Sequence, residues 1–523
     1  MRSSNLGLQS LGPRLPLILT TVVGLAATFF IGAAIGQGEF IQIYLLLFAI
    51  AALTAIFTMG SKYWLLIPIA FSFNLPAIPF GGRAFELPEI VIVLCTIVFA
   101  CRYALSQRGV TLFRWSHAAV ILYAAWAGII FALHPIGLAV MGSSLGGARF
   151  YFKIALALAS FLIIANQKIT ERDAKWIIRL LLIGSIVGMV VNIVQYKISP
   201  PILTDPNTDE GYYTWHQAMS VPAMMIMLWL VSRYKIKEIF GFAKPWALFV
   251  FILCLAVAAI SGKRAGFASV LMTPLIAAII RKEKFYVFCS AILAALLIGF
   301  LTLGQGTLFT LPLQVQRSLS YLPGKWDWEV RSQFQRGIDP FRAEMRELAW
   351  VKIEQHPLVG QGYAVNQNEM WGIAGRKDLH MFTLLTLALG SSWHNTWLGI
   401  WADFGLPAVL FWAIFSIQAV VIGFWVYRRT LHGSAFRTFG MMILLYFIGD
   451  ILRSWTGGHS ANDPFTRWWM YGVLLSLALG LEQTKDRNVT DSGSPRRTRF
   501  GEPESETNYK VEDTLVQARV NRS

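Results

Sequence analysis

Apolar runs of about 20 residues recur along this chain, and they constrain its fold more than any other feature. A helix needs roughly 20 mostly apolar residues to cross the hydrocarbon core of a bilayer, where each backbone polar group must be satisfied within its own segment. The sequence predicts an all-α integral membrane protein with about 12–14 transmembrane helices. The runs lie at residues 15–36, 40–59, 62–80, 87–105, 115–133, 150–166, 176–195, 214–232, 245–260, 265–280, 285–304, 397–426, 438–452 and 466–482.

The stretch 61–105 is the one whose interpretation stays open. Asn74, two prolines and the Gly81-Gly82 pair interrupt its apolar character, so it could form a re-entrant segment instead of two spans. The first run follows Arg2 and Arg14 as a signal peptide would, but no convincing cleavage site ends it, and we interpret it as a retained helix.

The basic residues predict the orientation. The net charge is +16, and the Lys and Arg residues concentrate in alternate short loops, which favours the cytoplasm for those loops. The charge therefore sets topology, and we exclude nucleic acid as a partner. The most basic loops hold Arg102, Arg108, Arg114; Lys168, Arg172, Lys175; Arg233, Lys235, Lys237, Lys244; Arg281, Lys282, Lys284; and Arg428, Arg429, Arg437.

This orientation divides the chain into three parts. Residues 1–254 are N-terminal transmembrane helices, and residues 255–482 are a second membrane domain that includes a long periplasmic loop, 305–396. Residues 483–523 are polar and poor in apolar residues, which predicts a disordered cytoplasmic tail.

Familiar catalytic signatures are absent from the sequence. It has no Walker loop, no HExxH, no GxSxG and no Asp-x-Asp pair in an outward loop, so we predict neither a metal site nor a cofactor. Asp450 is nearly alone as an acidic residue within a helical run, which counts against a proton-driven transporter.

Two outward turns carry basic residues that the positive-inside trend does not require. Lys263 and Arg264 lie in Ser261-Gly-Lys-Arg-Ala-Gly266, and Arg149 ends Gly146-Gly-Ala-Arg149 just before an apolar run. Such cations could hold a diphosphate, Arg by a bidentate fork and Lys as a point charge. The alternative is that all three contact lipid phosphates at the membrane boundary.

A histidine lies where the long loop re-enters the membrane, in Ser391-Ser-Trp-His-Asn-Thr-Trp-Leu398. His394 could act as a general base for a sugar hydroxyl, because the pKa of an unperturbed histidine is about 6.5. The alternative is a partly buried histidine that bonds only to backbone. Asn395 could orient that ring or cap the following helix.

Within the long loop, Asp339-Pro340 predicts the start of a helix, and Pro357 with the following glycines predicts its end. Phe341, Met345, Leu348 and Val351 recur at helical spacing between these points. The helix could roof a cavity between the spans or serve only as a packing element.

These features occur together in the O-antigen ligase and polymerase family of bacterial envelope glycosyltransferases, which residues 255–430 resemble. Ser261-Gly-Lys-Arg-Ala-Gly266 is similar to the family's Ser-x-Arg-Gly stretch, although Lys263 departs from it. Arg346-x3-Trp350 with Pro357-Leu-Val-Gly-Gln-Gly362 resembles its Arg-x-x-x-Trp and Pro-x-x-Gly-x-Gly patterns, with Gln361 in place of a small apolar residue. His394-Asn395-Thr-Trp-Leu398, followed by Asp403-Phe-Gly405, is similar to its His-Asn-x-x-Leu and acidic-x-Gly patterns.

The resemblance implies a GT-C-like, metal-independent, inverting glycosyltransferase of the bacterial inner membrane whose active site faces the periplasm. The implied donor is an undecaprenyl-diphosphate-linked glycan. The implied acceptor is another lipid-linked glycan for a polymerase, or lipid A core or protein for a ligase. Membrane lipids surround the protein, and a chain-length regulator protein is compatible as a further partner. The sequence leans toward a polymerase of O-antigen, capsule or exopolysaccharide and leaves the ligase open.

The resemblance also assigns roles to residues. His394 would be the general base, and Arg264, with Arg149 and Lys263, would stabilise the departing diphosphate. Arg346, His216 and Asn395 would position substrate. A lipid-linked glycan transporter or flippase remains the alternative from another class, and it would be expected to show an internal repeat of helices.

Overall fold

The structure is a computed structural model, and it describes residues 53–54, 56–73, 78–80, 83–106, 114–135, 148–198, 218–241, 243–320, 322–333, 339–363, 393, 395–455 and 462–493. Side chains are described for most of these residues, and not for 78–84, 105–106, 195–198, 329, 332–333, 339–342, 462–463 and 482–493.

Helices make up almost all of the described chain. In order they are α1 Leu66–Phe73, α2 Leu87–Ser106, α3 Ala118–Leu133, α4 Ala148–Ala165, α5 Glu171–Ile198, α6 Ser220–Arg233, α7 Ile236–Ile239, α8 Pro245–Ile260, α9 Arg264–Ile280, α10 Lys284–Gly304, α11 Leu313–Leu319, α12 Trp328–Gln333, α13 Asp339–Gln355, α14 Thr396–Arg429, α15 Ala435–Arg453 and α16 Asn462–Gly493. Two 3₁₀ helices, Gly60–Leu65 and Trp115–His117, precede α1 and α3.

Seven of the described helices are long and apolar enough to cross a membrane, and three more are apolar but shorter. The spans are Leu87–Ala104, Trp115–Leu133, Ala148–Ala165, Glu171–Val194, Lys284–Gly304, Thr396–Arg429 and Ala435–Arg453, and the shorter helices are Ser220–Arg233, Pro245–Ile260 and Arg264–Ile280. The prediction of an all-α, multi-pass membrane protein is confirmed. The predicted runs 15–36 and 40–59 lie wholly or largely outside the described residues.

Within the described residues, the stretch 62–80 is not one continuous α-helix. The 3₁₀ helix Gly60–Leu65 leads directly into α1, whose eight residues extend for about 12 Å. A small antiparallel hairpin follows, in which β1 (Ile78–Phe80) pairs with β2 (Arg83–Phe85) in the register Ile78↔Phe85 and Phe80↔Arg83. The second half of the stretch, α2, is a span as predicted.

The last helix continues beyond residue 482, where the predicted span ends, to Gly493. Residues from Glu482 onward form a unit separate from the rest of the chain. The remainder of the predicted tail, 494–523, lies outside the described residues.

Successive spans alternate in direction, so several helix ends meet at one end of the bundle. There, the Tyr363 backbone N–H donates to Tyr151 Oη of α4 at 3.1 Å, and Arg264 Nε at the start of α9 donates to the carbonyl of Arg317 at 3.2 Å. We call this end, where α10 leads into the long loop and α14 begins, the loop end.

The helix α10 has the most exposed surface among the spans. Phe285, Phe288, Leu296 and Leu303 are each at least 65% exposed, and only 11% of the residues in its apolar segment are buried. A helix that presents rows of Phe and Leu outward is suited to contact with lipid chains.

Candidate active site

The helix α14 is broken at Gly405, which adopts φ 75° and ψ 179°. The break releases carbonyls from the helical hydrogen-bond pattern, and Pro407 has no N–H with which to engage the carbonyl of Asp403. A released backbone group inside a membrane protein must find another partner.

The loop after α13 supplies these partners. The backbone N–H groups of Gln361 and Gly362 donate to the carbonyls of Ala402 and Asp403 at 3.1 and 2.7 Å. In return, the N–H of Leu406 donates to the carbonyl of Pro357 at 3.1 Å. The carbonyl of Phe404 accepts from Trp126 Nε1 of α3 at 2.6 Å. Two segments that the sequence singled out separately, 357–362 and 403–405, therefore bind each other directly.

Glycines are required on both sides of this contact. A Cβ at Gly405 would lie 2.1 Å from the carbonyl oxygen of Leu358, and one at Gly360 would lie 2.6 Å from the backbone of Asp403. A Cβ at Gly362 would lie 2.5 Å from Tyr151 Oη. All three have positive φ, a conformation that glycine adopts without steric cost.

The helix α13 packs on α14 beside the break. Its buried face consists of Met345, Ala349 and Ile353, which cluster with Trp393 and with Ala402 of α14. The helix begins at Asp339 and ends before Pro357, as predicted. The predicted face is partly wrong, because Val351 is 45% exposed and Ala349 and Ile353 lie inside instead. The side chain of Phe341 lies outside the described residues.

Asn395 caps α14. Its Oδ1 accepts from the backbone N–H groups of Trp397 and Leu398 at 3.0 and 3.1 Å, which is the geometry of an N-cap. The neighbouring Thr396 N–H donates to the carbonyl of Ser454, and Trp397 Nε1 donates to Ser454 Oγ at 2.7 Å. Of the two roles that the sequence left open for Asn395, the structure shows the cap.

Trp393 is fixed on the other side of position 394. It is fully buried, and its Nε1 donates to Oδ1 of the buried Asp403 at 3.2 Å. The Lys352 ammonium of α13 lies 5.1 Å from the centroid of the Trp393 ring. The two residues that flank His394 are therefore both anchored, whereas His394 itself lies outside the described residues, as does His216.

Lys263 and Arg264 lie at the loop end, where α9 begins. Arg264 is the first residue of α9 and Lys263 is its N-cap, with both side chains half-buried. The Lys263 backbone N–H donates to Ser261 Oγ at 3.3 Å, and Gly262 makes the turn at φ 71°. The remaining predicted positioning residue, Arg346, is exposed on α13.

Arg149 lies at the start of α4, at the loop end, but its side chain is buried. It is 8% exposed, and its Nη2 and Nε donate to the two carboxylate oxygens of Glu89 at 3.0 and 3.3 Å. One turn further along α4, Lys153 Nζ donates to Glu86 Oε1 at 2.7 Å. We call these four residues the charge network. Its charges balance and three of its members are buried, so the guanidinium of Arg149 contacts protein carboxylates within the charge network.

Sequence reasoning missed Lys153, Glu86 and Glu89. The signal for the first was present, because Arg149 and Lys153 are four residues apart and share one face of an apolar helix. Their acidic partners lie 60 and 67 residues earlier, and no spacing rule links them.

A second buried ion pair also escaped prediction. Asp450 at the end of α15 is not alone, since its Oδ1 lies 2.8 Å from Arg467 Nη2 of α16 and 3.7 Å from Arg453 Nη2. The Arg467 guanidinium lies 4.9 Å from the centroid of the Trp412 ring on α14. These charges also lie at the loop end, next to the Ser454 that holds the start of α14.

Within the described residues, no group of three or more His, Cys, Asp or Glu side chains is arranged to hold a metal ion. The loop end thus presents cations, a broken helix and anchored flanks of position 394. This arrangement can bind an anionic group and hold a sugar beside it.

Comparison with known proteins identifies this region. Residues 249–413, about a third of the chain, match the family model described as O-antigen ligase. The matched segment contains α9, the long loop, α13 and the first part of α14, including its break at Gly405. A comparison with curated proteins returns no match.

Proposed function

We propose, from the premise that residues 249–413 are a domain of the O-antigen ligase family, that the protein is a glycosyltransferase of the bacterial inner membrane. It moves a polyprenyl-diphosphate-linked glycan to an acceptor hydroxyl at the periplasmic face. Its most fitting reaction is polymerisation of the repeat units of O-antigen, capsule or exopolysaccharide.

One observation carries this proposal: the loop 357–362 is bonded to the break of α14 by three backbone hydrogen bonds. Both segments lie inside the family match. The contact holds extramembrane chain against a membrane helix about two to three turns after Asn395, the residue that caps this helix. A transferase that joins a lipid-anchored donor to a sugar needs a site at this kind of boundary.

The chemistry follows from the charges. The acceptor oxygen attacks the anomeric carbon, the bond from that carbon to the diphosphate oxygen breaks, and the acceptor proton passes to His394. Negative charge develops on the departing diphosphate, where Arg264 with Lys263 stabilises it in a site of low dielectric. Attack opposite the leaving group inverts the anomeric centre. In this scheme fixed cations replace a metal ion.

The other predicted residues have supporting roles in the proposal. Arg346 and His216 position sugar, and Asn395 acts by fixing the start of α14. Arg149 contributes to the electrostatic potential around the diphosphate from within the charge network, because its Nε and Nη2 already donate to Glu89. The donor is an undecaprenyl-diphosphate-linked glycan, and a polymerase would be compatible with a chain-length regulator protein as partner.

A ligase would use the same donor chemistry and a different acceptor, lipid A core or protein. The two activities therefore differ in the surface that binds the acceptor. The family match is compatible with both, because both use the same transfer reaction. A flippase, the alternative from another class, would move the donor without breaking the glycosyl bond.

The test is glycan output in a deletion strain complemented with wild type, Arg264→Ala or His394→Ala at matched protein levels. We expect both variants to accumulate lipid-linked glycan at the outer face. Single repeat units indicate a polymerase, and long unattached chains indicate a ligase. The matched control is Lys175→Ala, an exposed cation at the opposite end of the bundle, which should restore normal glycan.

Two outcomes would overturn the proposal. Normal glycan from both variants would mean that the assigned site is wrong. Intermediates trapped on the cytoplasmic face would favour the flippase. Metal independence is tested separately in membrane vesicles, where a chelator should leave the transfer rate unchanged.

A further inference from the structure

Two tryptophans form an exposed aromatic surface beside the broken helix. Trp350 of α13 is 46% exposed, and its ring meets that of the half-buried Trp401 of α14 edge to face at 5.9 Å between centroids. The Trp401 Nε1 donates to the carbonyl of Pro357 at 2.8 Å, so the pair is fixed to the loop that binds the break. We call this pair the tryptophan ledge.

The surroundings of the ledge distinguish it from a lipid-facing surface. Arg346, Glu347 and Glu354 are exposed and lie three or four residues from Trp350, on the same face of α13. Lipid-facing α10 instead exposes rows of Phe and Leu. Val351 is the exposed aliphatic neighbour of Trp350, and it is flanked by charged residues on the same helix.

The amides of exposed Gln355 and half-buried Gln361 continue the polar border. Gln361 Nε2 donates to Gln355 Oε1 at 3.0 Å, so both side chains are held in place at the end of α13. The ledge is thus bordered by a guanidinium, carboxylates and amides, which together offer both donors and acceptors. Partly exposed aromatic rings beside such donors and acceptors have the composition of a ligand-binding surface.

We propose that the tryptophan ledge is a binding subsite for neutral sugar residues of the glycan chain. The C–H face of a pyranose stacks on the Trp350 ring, and its hydroxyl groups exchange hydrogen bonds with the border residues. The border carries both signs of charge, with more carboxylates than cations, so it favours an uncharged sugar over an acidic one. This inference rests on the proposed function for the identity of the glycan.

The position of the ledge suits a subsite beyond the reacting sugar. Trp401 precedes the break at Gly405 by one helical turn, and α13 packs over the same part of α14 through Met345 and Ala349. A glycan that extends from the site between Asn395 and the break would pass over this surface. The ledge would then determine affinity for the chain and leave the chemical step to other residues.

The experiment measures binding, so that it does not depend on turnover. Lipid-free, fluorescently labelled oligosaccharides of the host's envelope polysaccharide are titrated against the full-length protein in nanodiscs, and anisotropy gives Kd. We expect Trp350→Ala to raise Kd about tenfold, the size of one lost aromatic stacking contact, and Trp350→Phe to raise it less than about threefold. The control Trp328→Ala removes a tryptophan that is 73% exposed on the separate helix α12, and Kd should not change.

Wild-type affinity in Trp350→Ala would overturn the ledge proposal. An equal rise of Kd in Trp328→Ala would also overturn it, because it would indicate a general effect of removing an exposed tryptophan. Unchanged affinity combined with a lower unfolding temperature in nanodiscs would assign Trp350 to lipid contact. The outcome is separable from that of the proposed function. If glycan binding depends on Trp350 but no glycan is transferred, the transferase proposal is wrong and the ledge proposal stands. If glycan is transferred but binding does not depend on Trp350, the ledge proposal is wrong and the transferase proposal stands.

Discussion

The backbone N–H of Gly362 donates to the carbonyl of Asp403 at an N···O distance of 2.7 Å, and this bond joins the long loop to the break in α14. It exists because Pro407 leaves that carbonyl without its helical partner. The loop and the membrane helix therefore stabilise each other, and removing either one would leave buried polar groups unsatisfied.

Gly405→Ala should destabilise the protein strongly. Alanine at φ 75° and ψ 179° would occupy a backbone region that essentially only glycine adopts, at a cost of about 1–3 kcal/mol. Displacing the Leu358 carbonyl adds roughly 1–3 kcal/mol. Gly433→Ala is the control, because Gly433 has φ 81° and a Cβ there meets nothing within 4 Å. Thermal unfolding of the purified proteins compares them, and equal shifts would show that the contact between loop and break contributes nothing.

Arg149→Met should destabilise the protein by about 3–5 kcal/mol, because it leaves Glu89, which is 1% exposed, without its main partner. The double variant Arg149→Met/Glu89→Gln should recover much of that stability, since the Lys153–Glu86 pair remains balanced. Glycan transfer by the double variant then separates two roles. Recovery of transfer along with stability means that Arg149 is structural, and stable but inactive protein means that it serves the diphosphate.

Asp403→Asn should keep most transfer activity, and Asp403→Leu should lose it. Asparagine retains an oxygen that accepts from Trp393 Nε1, whereas leucine leaves that buried N–H unsatisfied at a cost of about 1–3 kcal/mol. Transfer rates in membrane vesicles at matched protein levels provide the measurement. Equal activity of the two variants would mean that the anchor of Trp393 is not needed.

Asn395→Ala should lower stability by about 0.5–2 kcal/mol, the range for loss of an N-cap. Asn395→Ser retains a capping oxygen and should keep both stability and transfer. If Asn395→Ser folds normally yet loses transfer, the asparagine has a second role toward substrate that capping does not explain.

Local pattern was enough to place most of the fold. The apolar runs predicted the spans of α2 to α5, α10, α14 and α15, and Pro357 predicted the end of α13. The cap role of Asn395 was one of two options at sequence level, because an Asn before an apolar run is a strong helix-start signal.

Contacts between distant segments could not be predicted in this way. Arg149 was expected in an outward turn, and only the folded chain shows that Glu86 and Glu89 meet its side chain. Asp450 seemed isolated because its partner Arg467 is on the next helix. The predicted buried face of α13 included Val351 in place of Ile353. Both residues are apolar, and only the packing of α14 decides which of them is buried. The hairpin within 62–85 could not be located, because total hydropathy does not reveal where a helix stops.

The break also determines where α14 lies relative to the bilayer. The helix has 34 residues, but the part after Gly405, 406–429, extends for about 36 Å and alone exceeds the ~30 Å hydrocarbon core. The part before it, 396–404, adds only about 13 Å and is not needed to cross that thickness. A donor whose anchor is in lipid and whose sugars are in water would meet both phases at this one joint.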